Sequence, residues 1–365
     1  QDALPKVYIG GVEQSATSGL DTVNMSNYAE GVRIVMQHRK NEALTKEYQL
    51  KINIYDRDPY THTWTKSAHS APASATSEDI LLSRLVDNGE AYYYFTRTTS
   101  ERHLWRASHK EPELWQEVTI LKTLDSPIVD IVEQGGRDAI LCLQESGQYT
   151  CYDHANGGDW AQSNALPGRA SYLLGNLYHR GENKPLVAVK SADGVHFNSE
   201  GGIRVPEAFP LERNARLSLT IEHHPVVLLV GGSVADTTAL VYSTSNGLDW
   251  LTPHDAHMAS KIWPSNLPGA MIYEPQDQTI LLAKPAARPK QAEQPAMQLY
   301  VSLDYGTVWQ QLTEESILPP LYYEKGQKHQ QGLALYRGDD GRIYLFGGIK
   351  GGTPTLWIGQ PIRFQ

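Results

Sequence analysis

Short runs in which apolar side chains recur at every second position fill most of this chain, with Gly, Pro, Ser, Asn and Asp clustered between them. That pattern predicts many short β-strands joined by tight turns. The clearest unit has Leu217–His223 as an inner strand and Pro225–Gly231 and Thr237–Ser243 behind it, with Asp249–Thr252 as the outer edge. The same order fits residues 81–118, 127–163, 169–200 (compressed), 269–313 and 330–361. Six sheets arranged around one axis are expected.

The turn that enters each outer strand carries a repeat. Ser302-Leu-Asp304-Tyr-Gly306-Thr-Val-Trp309 has the spacing S-x-D-x-G-x-x-W of an Asp-box. In such a turn the Asp folds back onto backbone N–H groups, the Gly adopts φ > 0, and the Trp packs as the next strand begins. Ser243, Ser245, Gly247 and Trp250 keep this register with Ser for Asp. Gly194 and Phe197 keep it behind Lys190 and Ala192, with Asp193 one residue late. Asp153, Ala155, Gly157 and Trp160 form another copy, and Ser108, Lys110, Pro112 and Trp115 the faintest. The aromatics recur about every 40–60 residues, a blade-length interval. The fold class expected is all-β: a six-bladed β-propeller with Asp-box-like turns. The boxes are expected to be structural.

The last sheet lacks an outer strand, because the chain runs past Trp357 through Pro361-Ile-Arg-Phe364 with no box. Thr61-His-Thr-Trp64-Thr-Lys66 stands alone at the other end of the domain with an orphan Trp. Residues 61–66 are therefore expected to supply that strand and cover the exposed edge. Small polar residues from Ser67 to Ser77 read as a linker. Residues 1–60 form a separate small β-sandwich-like module, complete or cut short, and residues 61–365 the propeller. In the module, Val32–His38 and Glu47–Tyr55 are expected as half-buried strands around a loop at Arg39–Lys46. Tyr48, Leu50, Ile52 and Ile54 share one face, and Val7–Val12 adds a further strand.

Composition narrows the picture. The 365 residues include 20 Tyr, 8 Trp, 30 Gly and 21 Pro, a balance that suits short strands and tight turns. A net charge of −9 with no basic run argues against nucleic acid as a partner. No apolar stretch reaches the roughly 18–20 residues needed to cross a bilayer. Gln1 to Lys6 do not form a signal peptide; in an exported protein the targeting segment is already removed. If Ser146-Gly147 is a two-residue hairpin turn, Cys142 faces Cys151. The pair is either two buried small side chains or a cross-strand disulfide, the latter pointing to an oxidising compartment.

Asp21-Thr-Val-Asn-Met-Ser26 resembles the D-S-I-D-F-S stretch of a family of uncharacterised Bacteroidetes lipoproteins, those with the domain of unknown function numbered 6242. Lys46-Glu-Tyr48, Lys51-Ile-Asn53-Ile and Asp56-Arg-Asp58-Pro59, ending in Trp64, are similar to that family's K-x-Y…V-N-V-H-x-x-D-P-D-S…W. The similarity continues through the boxes to Leu356-Trp357-Ile-Gly359, and Asp2-Ala-Leu-Pro5 resembles its D-S-L-P. The resemblance implies an exported protein on a cell envelope, membrane-attached only through a lipid anchor upstream of this chain. It implies no known reaction.

Boxed propellers also resemble sialidases, whose site needs three arginines, a Tyr–Glu pair and an Asp acid/base. Ile203-Arg204-Val205-Pro206 is similar to the sialidase R-I-P segment but follows the third box instead of preceding the first. Arg97, Arg102, Arg180 and Arg288 lie near expected loops and are the candidate ligand-binding residues. No catalytic residue, metal ligand or cofactor is assigned. His223 and His224 are adjacent on a strand and point apart, and a metal at His254-Asp255-Ala-His257 needs a helical loop. The longest loops are expected at Thr96–His103, Lys284–Ala296 (Pro-rich) and Leu312–Lys328. Tyr92–Phe95 and Tyr322-Tyr323 are candidates for stacking on sugars. The function expected is a monomeric, non-catalytic cell-surface binding protein for a glycan or protein ligand. The alternatives are a sialidase-like hydrolase or lyase and a structural module of envelope assembly.

Overall fold

The structure is a computed structural model that describes residues 6–9, 12–13, 32–38, 40–50, 62–72, 80, 82–118, 128–134, 138–145, 148–153, 160–163, 171–179, 182–197, 202–207, 209–211, 214–221, 224–231, 240–251, 269–275, 278–285, 297–306, 309–312, 330–349 and 355–361. Every regular element among them is a β-strand. The chain divides into two units, Gln1–Asp58 and Pro59–Gln365.

The first unit holds one antiparallel sheet in the order β2-β1-β3-β4: β1 (Lys6–Ile9), β2 (Val12–Glu13), β3 (Val32–His38) and β4 (Asn41–Leu50). The expected loop at 39–46 is corrected here. Strand β4 starts at Asn41, which pairs with His38, and the connection shrinks to residues 39 and 40. The backbone N–H groups of Lys40 and Asn41 donate to His38 Nδ1 at 3.3 and 3.2 Å, so one imidazole closes the turn. A ladder asks only for backbone groups, and the polar side chains of this stretch simply face solvent. Tyr48, expected on a half-buried face, is 45% exposed with Lys46 Nζ 5.4 Å from its ring centre. Residues 51–55 lie outside the described residues.

The second unit opens with β5 (His62–Ser70), then β6 (Leu82–Asp87), β7 (Ala91–Arg97), β8 (Arg102–Ser108) and β9 (Glu111–Glu117). Next come β10 (Ile128–Gln134), β11 (Asp138–Glu145), β12 (Gln148–Asp153) and β13 (Ala161–Ser163), then β14 (Tyr172–His179), β15 (Glu182–Ser191) and β16 (Gly194–Phe197). They are followed by β17 (Asn214–Ile221), β18 (His224–Gly231), β19 (Leu240–Thr244), β20 (Ala270–Glu274), β21 (Thr279–Pro285), β22 (Met297–Ser302) and β23 (Gln310–Leu312). Strands β24 (Gln330–Arg337), β25 (Ile343–Ile349) and β26 (Thr355–Pro361) end the chain. Among the described residues they form six antiparallel sheets: β6–β9, β10–β13, β14–β16, β17–β19, β20–β23 and β24-β25-β26-β5. In the last, β5 lies beside β26 with Trp64 opposite Gly359. Ser67–Ser70, expected in a linker, continue β5; Ser67 is buried and its hydroxyl bonds Glu113, a use for a small polar side chain inside a strand.

Apolar wedges join neighbouring sheets. The first strands follow one another in the closed order β6, β10, β14, β17, β20, β24 and back to β6. Alternation within single strands explains how both faces are filled. On β7, Ala91, Tyr93 and Phe95 pack with Ile128 and Ile131 of β10, while Tyr92 and Tyr94 pack with Tyr336, Tyr344 and Phe346. On β21, Ile280 and Leu282 face Leu228 and Val230, while Leu281 and Ala283 face Leu333 and Leu335. Tyr92–Phe95 are 0–3% exposed, so this stretch is core and offers no ring to a sugar, correcting that expectation. Tyr322 and Tyr323 lie outside the described residues.

The Ser302–Trp309 turn connects β22 to β23. Ser302 Oγ donates to Asp304 Oδ1 at 2.8 Å and accepts from Gly306 N at 2.8 Å, and Trp309 Nε1 donates to Gly306 O at 3.0 Å. Gly306 has φ of 91°, and a Cβ there would meet Leu228 of the preceding sheet at 2.9 Å. The turn after β19 uses a shifted set. Gly247 N donates to Thr244 Oγ1 at 2.8 Å, and Asn246 Oδ1 accepts from Leu248 N and Asp249 N at 2.8 and 2.9 Å. Thr244 and Asn246 thus do the work expected of Ser243 and Ser245, while Ser243 pairs through its backbone with Leu251. The Lys190–Phe197 copy is displaced further. It joins the second and third strands of its sheet, β15 and β16, whereas the copies at Ser108, Asp153 and Ser302 join the third and fourth of theirs. Asp193 turns there to Ser191 Oγ at 2.6 Å and His196 Nε2 at 3.2 Å.

Candidate functional site

The first strands wall the central channel, and charged residues recur in them at fixed steps. The third residue is Arg84 in β6, Asp130 in β10 and Arg216 in β17; the sixth is Asp87 in β6 and Glu133 in β10. Equal steps along parallel neighbours bring like positions to one level. Asp130 Oδ1 accordingly lies 3.3 Å from Arg84 Nε and 3.4 Å from Arg216 Nη2. Arg84 also donates to Asn214 O, and Arg216 to Leu173 O at 3.1 Å. Burial lowers the Arg84 guanidinium to about 10; Asp130 opposes that shift, and the charges of Arg216 and Arg97 add to it. Three sheets are tied by one carboxylate.

Next to this cluster a cavity of about 240 Å³ opens between the first strands, bounded by the ends of β6, β10 and β24 and by Arg216–Ser218 of β17 and Met271–Tyr273 of β20. Asp87, Glu133, Arg216, Ser218, Tyr273 and Arg337 supply its polar lining. Glu133 is half-buried, and burial lifts its carboxyl to about 7. The charge of Asp87 pushes the same way, while Arg216 and a hydrogen bond with Ser218 pull back. Asp87 Oδ1 meets His109 Nε2 at 2.7 Å, and His109 stacks on Tyr92 with ring centres 4.4 Å apart. Tyr92 Oη donates to the Arg337 carbonyl at 2.6 Å, and Arg337 Nε lies 4.0 Å from Glu274. Such a cavity can hold a small polar group, and near neutral pH Glu133 can give or take a proton.

The expected arginines fare unequally. Arg97 and Arg102 pair across β7 and β8 at the end of the ladder, the turn between them being only Thr98–Glu101, shorter than the loop expected there. Arg102 Nε donates to Ile128 O at 2.9 Å, and Arg97 Nε is buried without a hydrogen-bond partner among the described residues. Arg180 and Arg288, the His254–His257 segment and most of the two other expected loops (286–296 and 313–329) lie outside the described residues. Cys142 is opposite Cys151 in the β11–β12 ladder, with Gln144 opposite Tyr149; the cysteine side chains lie outside the described set. Among the described residues no group of three or more His, Cys, Asp or Glu could hold a metal ion.

Sheets of this kind, joined by wedges and closed through their first strands, define a β-propeller. The family model of the DUF6242 beta propeller domain matches residues 58–364, and the chain belongs to that family. No curated protein matches it. Among solved structures it is similar to Trypanosoma rangeli sialidase in complex with 2,3-difluorosialic acid (covalent intermediate), at 10% identity and a TM-score of 0.45 over 81% of this chain. The match spans 59% of that sialidase's length. It is also similar to the SapL1 lectin in complex with alpha methyl fucoside, at 11% identity and TM-score 0.46, over 75% of this chain and 91% of the lectin. The endo-arabinase of Bacteroides thetaiotaomicron gives 10% identity and TM-score 0.39, over 82% of this chain and 99% of the enzyme. At such identities and scores no residue's role passes from those proteins to this one.

Proposed function

We propose that this protein is a non-catalytic binding propeller of six blades that takes a glycan at its central channel and works at a cell envelope, exported and lipid-anchored. The cavity carries the reading. It is small beside the roughly 300–1,000 Å³ of most ligand pockets, which suits a single ring or terminal group. Its polar groups stand on rigid inner strands, and its charges already have partners: Asp130 engages Arg216, and His109 engages Asp87. Charges so engaged can orient a glycan's hydroxyl groups through hydrogen bonds. The envelope location is supported by the family resemblance, and the opposed Cys142 and Cys151 are compatible with an oxidising compartment.

A glycan array followed by calorimetry on the full chain tests the reading. Binding that is lost in Ser218→Leu, with the circular dichroism spectrum kept, supports it. Binding unchanged by that substitution places the ligand elsewhere. A second reading is a glycoside hydrolase, favoured by Glu133 and Asp87 sharing one cavity with Glu133 near 7. Sugar release that stops in Glu133→Gln would establish it and overturn the first.

A further inference from the structure

The opposite level of the channel wall holds a different kind of charge. Leu82 and Val86 of β6, Phe95 of β7 and Leu104 of β8 all face the sheet of β10. By the two-residue period of a strand, Arg84, Arg97 and Arg102 project from that same face. Arg102 reaches Ile128 O at the start of β10, and Arg84 reaches Asp130 two residues on. Arg216 arrives at Asp130 from β17. Two guanidiniums therefore share the Asp130 carboxylate, and two more, Arg97 and Arg102, face each other beside them on the same side of the sheet.

Among the described residues, the acids nearby do not balance them. Asp130 is divided between Arg84 and Arg216. Glu101, in the turn between Arg97 and Arg102, faces His103 Nε2 at 3.5 Å, and Glu117 faces the other nitrogen of that ring at 3.0 Å. No hydrogen bond or ion pair holds Arg97 among the described residues, and its Nε is shut away from water. Like charges directly opposite on adjacent strands destabilise a sheet. The repulsion is felt: burial and then the charge of Arg97 lower the Arg102 guanidinium. Two arginines facing each other without a carboxylate between them among the described residues carry a cost that an incoming anion removes.

We propose that Arg97 and Arg102, backed by Arg84 and Arg216, form an oxyanion site, and that the ligand is an acidic glycan bearing a carboxylate or sulfate. This rests on the glycan-binding reading above and names the ligand's class. Guanidinium N–H groups match the planar or tetrahedral oxygens of these anions, and the strands fix the pair before the ligand arrives. Arg102 spends one N–H donor on Ile128 O and has others to offer.

Calorimetry on the full chain, with sodium sulfate, glucuronate and neutral glucose as probes, tests it. The wild type is expected to bind sulfate and glucuronate in preference to glucose, and more weakly as ionic strength rises. Arg97→Gln with Arg102→Gln should weaken both anions by about tenfold or more per arginine while the protein stays folded, since the double variant relieves repulsion. Arg97→Lys, which keeps the charge but not the fork, should fall between. Equal anion binding by wild type and double variant, or none by the wild type, overturns the proposal. If neutral glycans bind and acidic ones gain nothing from the arginines, the oxyanion site fails and the glycan reading stands. If the anions bind through the arginines but no glycan on the array does, the site stands and the glycan reading fails.

Discussion

Two levels of the same channel wall, three residues apart along β6 and β10, use charge differently. At the first, Arg84 and Arg216 share Asp130, with Arg97 and Arg102 on the same face as Arg84; at the second, Asp87 and Glu133 share a cavity with Arg216 and Arg337. At the first level the carboxylate is the scarce partner and holds sheets together. At the second the arginines are drawn to other carboxylates, Arg216 to Asp130 and Arg337 to Glu274, and the Glu133 carboxyl keeps its proton to about pH 7. The difference separates a structural charge from a tunable one: a shared counter-ion cannot be lost, whereas a carboxyl whose arginines are drawn elsewhere can titrate.

Removing the shared counter-ion should have the largest effect. Asp130→Ala removes the carboxylate that the two buried guanidiniums share, and urea unfolding should show a loss of about 3–5 kcal/mol. A loss near that of an ordinary surface substitution would mean that solvent already reaches Arg84. The second level should respond to pH. Glu133 titrates near 7 when folded against an ordinary value of 4.5, so between these values the native state holds a proton that the unfolded chain has released. Stability should fall as pH rises from about 4.5 to 7 and level off above. Glu133→Gln should remove that slope and leave the protein more stable at pH 8 by on the order of 1–3 kcal/mol. Identical pH profiles for the two proteins would place Glu133 in water. The smallest effect belongs to the facing arginines: Arg97→Gln with Arg102→Gln should gain about 0.5–1 kcal/mol in low salt, with the gain shrinking as salt is added. A double variant destabilised by more than the Arg102–Ile128 hydrogen bond, about 1 kcal/mol, would show that Arg97 already holds something in place.

Much of the fold was legible because a buried strand must alternate and a tight turn needs particular residues. Trp64 and the box at Ser302–Trp309 are such signals. The polar stretch Asn41–Lys46 misled, because a solvent-facing strand needs no apolar side chain. The copies around Thr244 and Asp193 misled for another reason. Hydroxyl, carboxylate and amide groups can each take a turn's N–H groups from neighbouring positions, so spacing alone does not say which residue does so. The site was harder to read. Arg97 and Arg102 stand out as charges beside a turn, but Arg84, Asp130, Arg216 and Glu133 sit inside apolar strands, where a single charge carries no mark of a site. Their signal was present as the same third and sixth positions in successive first strands, and it becomes visible only once the strands are set side by side.

The seam between β5 and β26 bears on how this chain comes to be made. Thr63 and Gln360, which meet there, are 297 residues apart in sequence. At about 5–20 residues per second, a ribosome needs roughly 15–60 s between delivering one and delivering the other. Through that interval the sheet of β24 to β26 cannot be finished, and the first strand of the domain waits with an open hydrogen-bonding edge. Closure must wait for β26, so the nascent domain stays unfinished, and open to chaperones, until that strand has emerged.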